Sequence, residues 1–199
     1  MPDHQQIDDE HILIRDAAHH PEAFRQLYRR YFPRVFGYVA ARMGSRQDAE
    51  DVTSTVFMRV VSGLSGFDYR GPGTFAAWVF RIASNEVAQF YRDHKRERGQ
   101  TPLTELPEIA DHALAPDERL VRKELFGRVR GHITALSARR QEVIMLRFFA
   151  GLRNQEIAAV LNLDERTVAS HLARALDDLR RRLQVNDGQL EGFSDDEST

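Results

Sequence analysis

An all-α chain, built as two small helical domains joined by a flexible linker, is predicted by three observations. Apolar residues recur at spacings of three and four through most of residues 21–92 and again from about Asp117 to Leu183. No segment keeps the two-residue period of a strand. Between the periodic blocks lies GQTPLTELPEIADHALAPDE (99–118), with three prolines, five acids and no lysine or arginine, a composition that favours an extended tether. The boundaries that follow are an acidic N-terminal segment 1–18, a helical domain 19–98, a linker 99–117, a second helical domain 118–184 and an acidic, disordered tail 185–199.

The first domain opens at Pro21, a residue suited to a first helical turn. Phe24, Leu27, Tyr28, Tyr31, Phe32, Val35, Phe36 and Val39 follow as an apolar stripe, within which Pro33 should kink or interrupt the helix and after which Gly44 ends it. Ser45 is placed to cap the next helix, with Asp48 and Glu50 at its positive end and Val52, Val56, Val60 and Val61 on one face. SGLSGFDYRGPG (62–73), with four glycines and a proline, is a loop. A third helix runs from Thr74 to about Arg92 on the stripe Phe75, Trp78, Val79, Ile82, Ala83 and Val87. Trp78 could stack on a base, but its place in the stripe favours the core. Most of the 14 aromatic residues before position 92 also sit on apolar faces and read as core.

In the second domain, residues 154–179 carry the most specific pattern. Ile157, Ala158, Val160 and Leu161 form one short stripe, and Val168, Leu172, Ala175, Leu176 and Leu179 form another. Between them, Asn162 tolerates a left-handed turn, Leu163 can plug the angle and Asp164 can cap the second helix. Arg166, Thr167, Ser170, His171 and Arg174 lie on the outward face as donors for phosphates or base edges, so the pair reads as a DNA-binding helix-turn-helix.

Composition narrows the function classes. The 199 residues include no cysteine, which removes disulfides, cysteine-ligated zinc and thiol switching. No apolar run approaches the ~20 residues of a membrane span, and the acidic N-terminus is unlike a signal peptide, so the expected location is the cytoplasm without membrane insertion. The net charge of -2 hides alternation: 13 basic against 8 acidic residues over 17–98 and 11 against 6 over 128–184, separated and flanked by acidic segments. Two basic modules suit a polyanion. No HExxH, P-loop or nucleophile elbow occurs, His19-His20 precede a helix-opening proline, and neither a catalytic residue nor a metal or cofactor is expected.

Several strings carry a family resemblance. TVASHLARA (Thr167–Ala175) resembles the recognition helix of bacterial extracytoplasmic-function (ECF) sigma factors, whose usual form is close to TVxSRLxRA. FRQLYRRYFPRVFGYV (24–39), DAEDVTSTVFMRVV (48–61) and FDYRGPGTFAAWVFRIASNEVAQFYR (67–92) are similar, in order and spacing, to that family's core-binding and minus-ten domain. The departures are His171 where arginine is usual, Ala169 and Arg166 at other recognition positions, and Gln89 for a frequent aspartate; they put the promoter sequence in doubt, not the fold.

The resemblance implies a promoter-recognition subunit, not an enzyme, whose partners are core RNA polymerase and promoter DNA. Many family members are also held by an anti-sigma factor, which becomes a candidate partner. It implies that Asp48, Glu50, Asp51, Thr55 and Phe57 dock on polymerase; that Phe67, Tyr69, Arg70, Asn85, Gln89, Arg92, Lys95 and Arg96 bind the minus-ten element; and that Arg147, Arg166, Thr167, Ser170, His171 and Arg174 bind the minus-thirty-five element. A stand-alone helix-turn-helix regulator is the alternative, distinguished by binding duplex DNA without polymerase.

Overall fold

The computed structural model describes residues 4–98 and 131–191, all of whose regular elements are helical. The expected linker 99–117 and the start of the second domain lie outside the described residues. The N-terminal half contains α1 (His4–Ala17), α2 (Pro21–Ala40), α3 (Arg46–Leu64) and α4 (Thr74–Arg98). The C-terminal half contains α5 (Ala138–Ile144), continued by a π-helical turn (Met145–Phe149), then α6 (Asn154–Leu161) and α7 (Glu165–Glu191).

Helix α1 falls within the segment read from sequence only as acidic. It is retained because Ile14 and Ala17 bury against α2 and Glu10 accepts a 2.8 Å bond from the Tyr31 hydroxyl. Buried beside that carboxylate, the Tyr31 hydroxyl is pushed far above its ordinary range and stays a donor.

Pro33 does not interrupt α2, which runs for 20 residues and ends at Ala40, ahead of Gly44. Packing of α2 against α1, α3 and α4 offsets the hydrogen bond that proline removes. The single apolar stripe expected on α2 is two. Leu27, Tyr31, Val35 and Val39 form the buried ridge, while Phe24, Tyr28, Phe32 and Phe36, one helical step away, are only partly covered.

Ser45 caps α3 as expected, its hydroxyl accepting from the Asp48 amide at 3.1 Å. Val52, Val56 and Val60 bury together, but Val61 is 52% exposed, because one residue further turns the side chain by about 100°. Helix α4 extends past Arg92 to Arg98 and buries two sides. Phe75, Val79, Ala83 and Val87 fill the core, and Ala76, Ala77 and Phe80 are covered as well, since α4 packs on α3 and also on α6 of the C-terminal half. Full burial of Phe75 and Phe80 contributes about 2 kcal/mol each.

In the C-terminal half, α7 packs on both α5 and α6. It continues to Glu191, so the helix passes the point at which the sequence reading begins a disordered tail; residues 192–199 lie outside the described residues. The π-helical turn, which no periodicity signals, buries Met145 and Leu146 and rests on α2.

Candidate nucleic-acid interface

The turn between α6 and α7 forms as the residues dictate. Asn162 has φ +54°, a left-handed conformation that asparagine tolerates. Leu163 packs against the core and its amide donates to Ala158 O at 3.0 Å. Asp164 caps α7, accepting from the Thr167 amide at 2.8 Å and the Thr167 hydroxyl at 2.6 Å. Those bonds hold the Asp164 carboxyl below the usual carboxylate range.

Along α7, Arg166, Ser170 and Arg174 are exposed and share a face, while Val168 and Ala175 are buried opposite them. His171 is half-buried. Thr167 is half-buried too, and its hydroxyl proton goes to Asp164 and so is not offered outward. Arg147 is exposed on the π-helical turn and donates to Leu152 O at 3.0 Å, which fixes its stem beside the helix-turn-helix.

The second set lies on α4 and the loop before it. Asn85, Gln89 and Arg92 are exposed on one face. Gln89 donates to both oxygens of Asp93 at 2.8 Å and accepts from Arg92 at 2.7 Å, so Gln89, Arg92 and Asp93 form a bonded cluster one turn beyond Asn85. Lys95 and Arg96 fall on the last turns of α4; their side chains lie outside the described residues.

In the loop, Gly71 and Gly73 adopt φ of +118° and +82°, values that favour glycine. Arg70 is exposed and paired with Asp68 at 2.9 Å. Tyr69 stacks on His11 of α1, with ring centroids 4.4 Å apart. Phe67 is turned inward, edge-on to Phe75 and against Trp78, so in this conformation it packs with the core and not toward a base. Trp78 is likewise half-buried between Phe67 and Phe75, in keeping with the core role expected of it.

On α3, Glu50 and Asp51 are exposed, Asp48 is half-buried at the helix start, and Thr55 donates to Asp51 O. Glu50 pairs with Arg46 at 2.7 Å. Phe57 is only 7% exposed and packs on Tyr28 and Phe32, so it forms a floor and not a projecting anchor. The exposed apolar side chains beside it are Met58 at 60%, Val61 and Tyr28. They line an open groove of about 690 Å³ between α2 and α3, walled by Phe32 and Phe36 and rimmed by Arg46 and Glu50. Sequence reasoning missed this groove. Its signal was an excess of apolar residues on α2, more than one helical face can bury.

Two separate exposed polar faces, one on α4 and one on α7, therefore occur in one chain. Residues 27–97 match the family described as Sigma-70 region 2, and residues 128–179 match Sigma-70, region 4. The chain belongs to the ECF sigma factors. This sigma factor is 30% identical over 172 residues to the ECF RNA polymerase sigma factor BldN of Streptomyces coelicolor, across 86% of the chain and 64% of BldN. It is 28% identical to the RNA polymerase sigma-H factor of Pseudomonas aeruginosa, across 90% of the chain and 95% of that protein. Its fold superposes on CnrH, solved with the cytosolic domain of CnrY, at a TM-score of 0.68 and 26% identity, over 89% of the chain and 98% of CnrH. The sigma factor thus spans just under two thirds of BldN and nearly all of the other two.

Proposed function

We propose that this sigma factor binds core RNA polymerase and directs promoter-specific initiation, acting in the cytoplasm as a non-enzymatic specificity subunit. The observation that carries the reading is the pairing, in one chain, of the exposed Asn85–Gln89–Arg92 strip on α4 with the exposed Arg166–Ser170–Arg174 face on α7. The α4 strip and the loop residue Arg70 engage the opened minus-ten strand. Tyr69 joins them when it leaves His11, since an aromatic ring can replace part of the stacking lost by an unpaired base. Lys95 and Arg96 add phosphate contacts without sequence preference. On α7, Arg166, Ser170 and Arg174 enter the minus-thirty-five major groove beside His171, with Arg147 on the adjacent backbone.

Polymerase docks along α3, where Asp48, Glu50 and Asp51 suit a basic partner and the groove of Tyr28, Phe32, Phe57, Met58 and Val61 accepts an apolar helix face. An anti-sigma factor is a further partner; the complex of CnrH with the CnrY cytosolic domain supports a second protein binding such a chain. The test is reconstitution. Purified chain with bacterial core polymerase starts RNA at a discrete promoter, and neither does so alone. Tight sequence-specific duplex binding by the chain alone, with no initiation on adding polymerase, overturns the proposal.

A further inference from the structure

One face of α1 is fastened to α2. Ile14 and Ala17 are buried, and Glu10 accepts from the Tyr31 hydroxyl at 2.8 Å and from Arg30 at 3.3 Å. His11 follows Glu10, and that one step turns its side chain by about 100°, into an exposed position. There its ring lies over Tyr69 of the loop before α4, with centroids 4.4 Å apart and planes within 24° of parallel.

Tyr69 has supports other than His11. Its ring packs partly buried against the core, and the loop is held on both sides. Phe67 packs on Phe75 and Trp78, and Gly71 O accepts from the Thr74 amide at 3.2 Å and the Thr74 hydroxyl at 2.7 Å. His11, in contrast, is exposed. A change of rotamer takes its imidazole off Tyr69 and leaves the contacts of Glu10, Ile14 and Ala17 in place.

Near-parallel rings at this separation are also how a nucleobase sits on an aromatic side chain, so the imidazole occupies the place of a base. The surroundings suit a nucleic-acid strand. Arg70, next along the loop, and Arg15, one turn beyond His11 on α1, are both exposed, paired with Asp68 and Asp16 at 2.9 Å each. Asn85 lies about 17 Å along α4 from Thr74, no more than about five nucleotide steps at about 3.4 Å each, so one opened strand can span Tyr69 and the α4 strip.

We propose that His11 is a removable cover on the base-stacking face of Tyr69, displaced by an unpaired base of the opened minus-ten strand. This rests on the function proposed above. Bases within a duplex are already stacked on their neighbours and gain nothing by displacing the imidazole. An unpaired base does gain, because a base stacked on an aromatic side chain outweighs one small exposed ring on another. The cover yields to opened DNA and stays shut against duplex. His11 is thus a positioning residue for strand opening, acting through Tyr69.

The affinity of reconstituted holoenzyme for minus-ten DNA tests this, with the element single-stranded, or paired and kept closed by low temperature, and with an abasic site walked through it. One abasic position should cost wild type on the order of tenfold on single-stranded DNA, and Tyr69→Ala should cost as much on intact single-stranded DNA. His11→Ala, which favours a helix, should tighten intact single-stranded DNA by roughly fivefold through loss of the competing ring and leave paired DNA unchanged. That gain should vanish with the abasic site at the sensitive position and in the Tyr69→Ala background. His11→Phe, which keeps a ring on Tyr69, should bind no better than wild type. A missing gain, a gain that survives in Tyr69→Ala, or an equal gain on paired DNA overturns the cover. Initiation judges the underlying function separately. Holoenzyme that starts RNA at a discrete promoter but lacks the Tyr69-dependent gain sinks the cover alone, whereas a chain that never initiates sinks both.

Discussion

Neighbouring residues Phe57 and Met58 on α3 should separate folding from docking. Phe57 is nearly buried, packed on Tyr28 and Phe32, whereas Met58 is the most exposed large apolar residue on that helix. Phe57→Ala removes a ring and leaves a cavity at the groove floor. Such truncations cost about 3–5 kcal/mol, and the low end applies because the groove side can relax. At about 2–4 °C per kcal/mol for a chain of this size, the melting midpoint should fall by roughly 6–12 °C. Met58→Glu, at a 60% exposed position, has little packing to lose and should stay within about 0.5 kcal/mol of wild type. On docking, however, its carboxylate would be desolvated in an apolar groove. A loss of about 2 kcal/mol or more is expected, or roughly 30-fold in affinity. Thermal denaturation by circular dichroism reads the first effect and anisotropy with labelled core polymerase the second. If Met58→Glu binds polymerase as wild type does, the groove is not the docking surface and its exposed apolar lining needs another explanation.

Three further outcomes follow from named contacts. Arg174→Ala should weaken binding to minus-thirty-five DNA by about 1–3 kcal/mol relative to a scrambled duplex in competition assays; an equal loss on both would make Arg174 a phosphate contact. Thr53, 1% exposed in α3 and with no partner for its hydroxyl among the described residues, should gain about 1 kcal/mol as Thr53→Val in denaturant unfolding. Because capping of Thr167 lowers the Asp164 pKa, the cap's contribution is complete above the ordinary aspartate pKa and is lost as pH falls through the lower folded value. Melting of wild type should therefore drop more steeply below about pH 4 than melting of Asp164→Asn.

Local chemistry made the helix-turn-helix legible. A left-handed asparagine, a capping aspartate and two short stripes act within a few residues, so Asn162, Asp164 and the α7 face are where the sequence indicates. The polar strip at Asn85, Gln89 and Arg92 was equally readable, since i, i+4 and i+7 share a helical face whatever the surroundings. Sequence could not tell exposure from cover where a residue's surroundings depend on another element. Phe67 carries an aromatic ring suited to a base, yet Phe75 and Trp78 take it up. Phe57 and Met58 are both apolar and differ only in which side of α3 meets α2.

The sequence by itself determined the helical class, the order of the two modules and the exposed faces of Asn85, Gln89 and Arg92 on α4 and of Arg166, Ser170 and Arg174 on α7, because helix periodicity, capping and turn chemistry act over a few residues. Only the tertiary structure decided which half of the aromatic surplus on α2 becomes core and which becomes groove, and that Glu142 meets Tyr38, Ser84 and Arg42. The physical reason is separation along the chain. Partners 58 to 104 residues apart leave no periodic trace, and burial of a carboxylate among them is settled only when two folded surfaces come together.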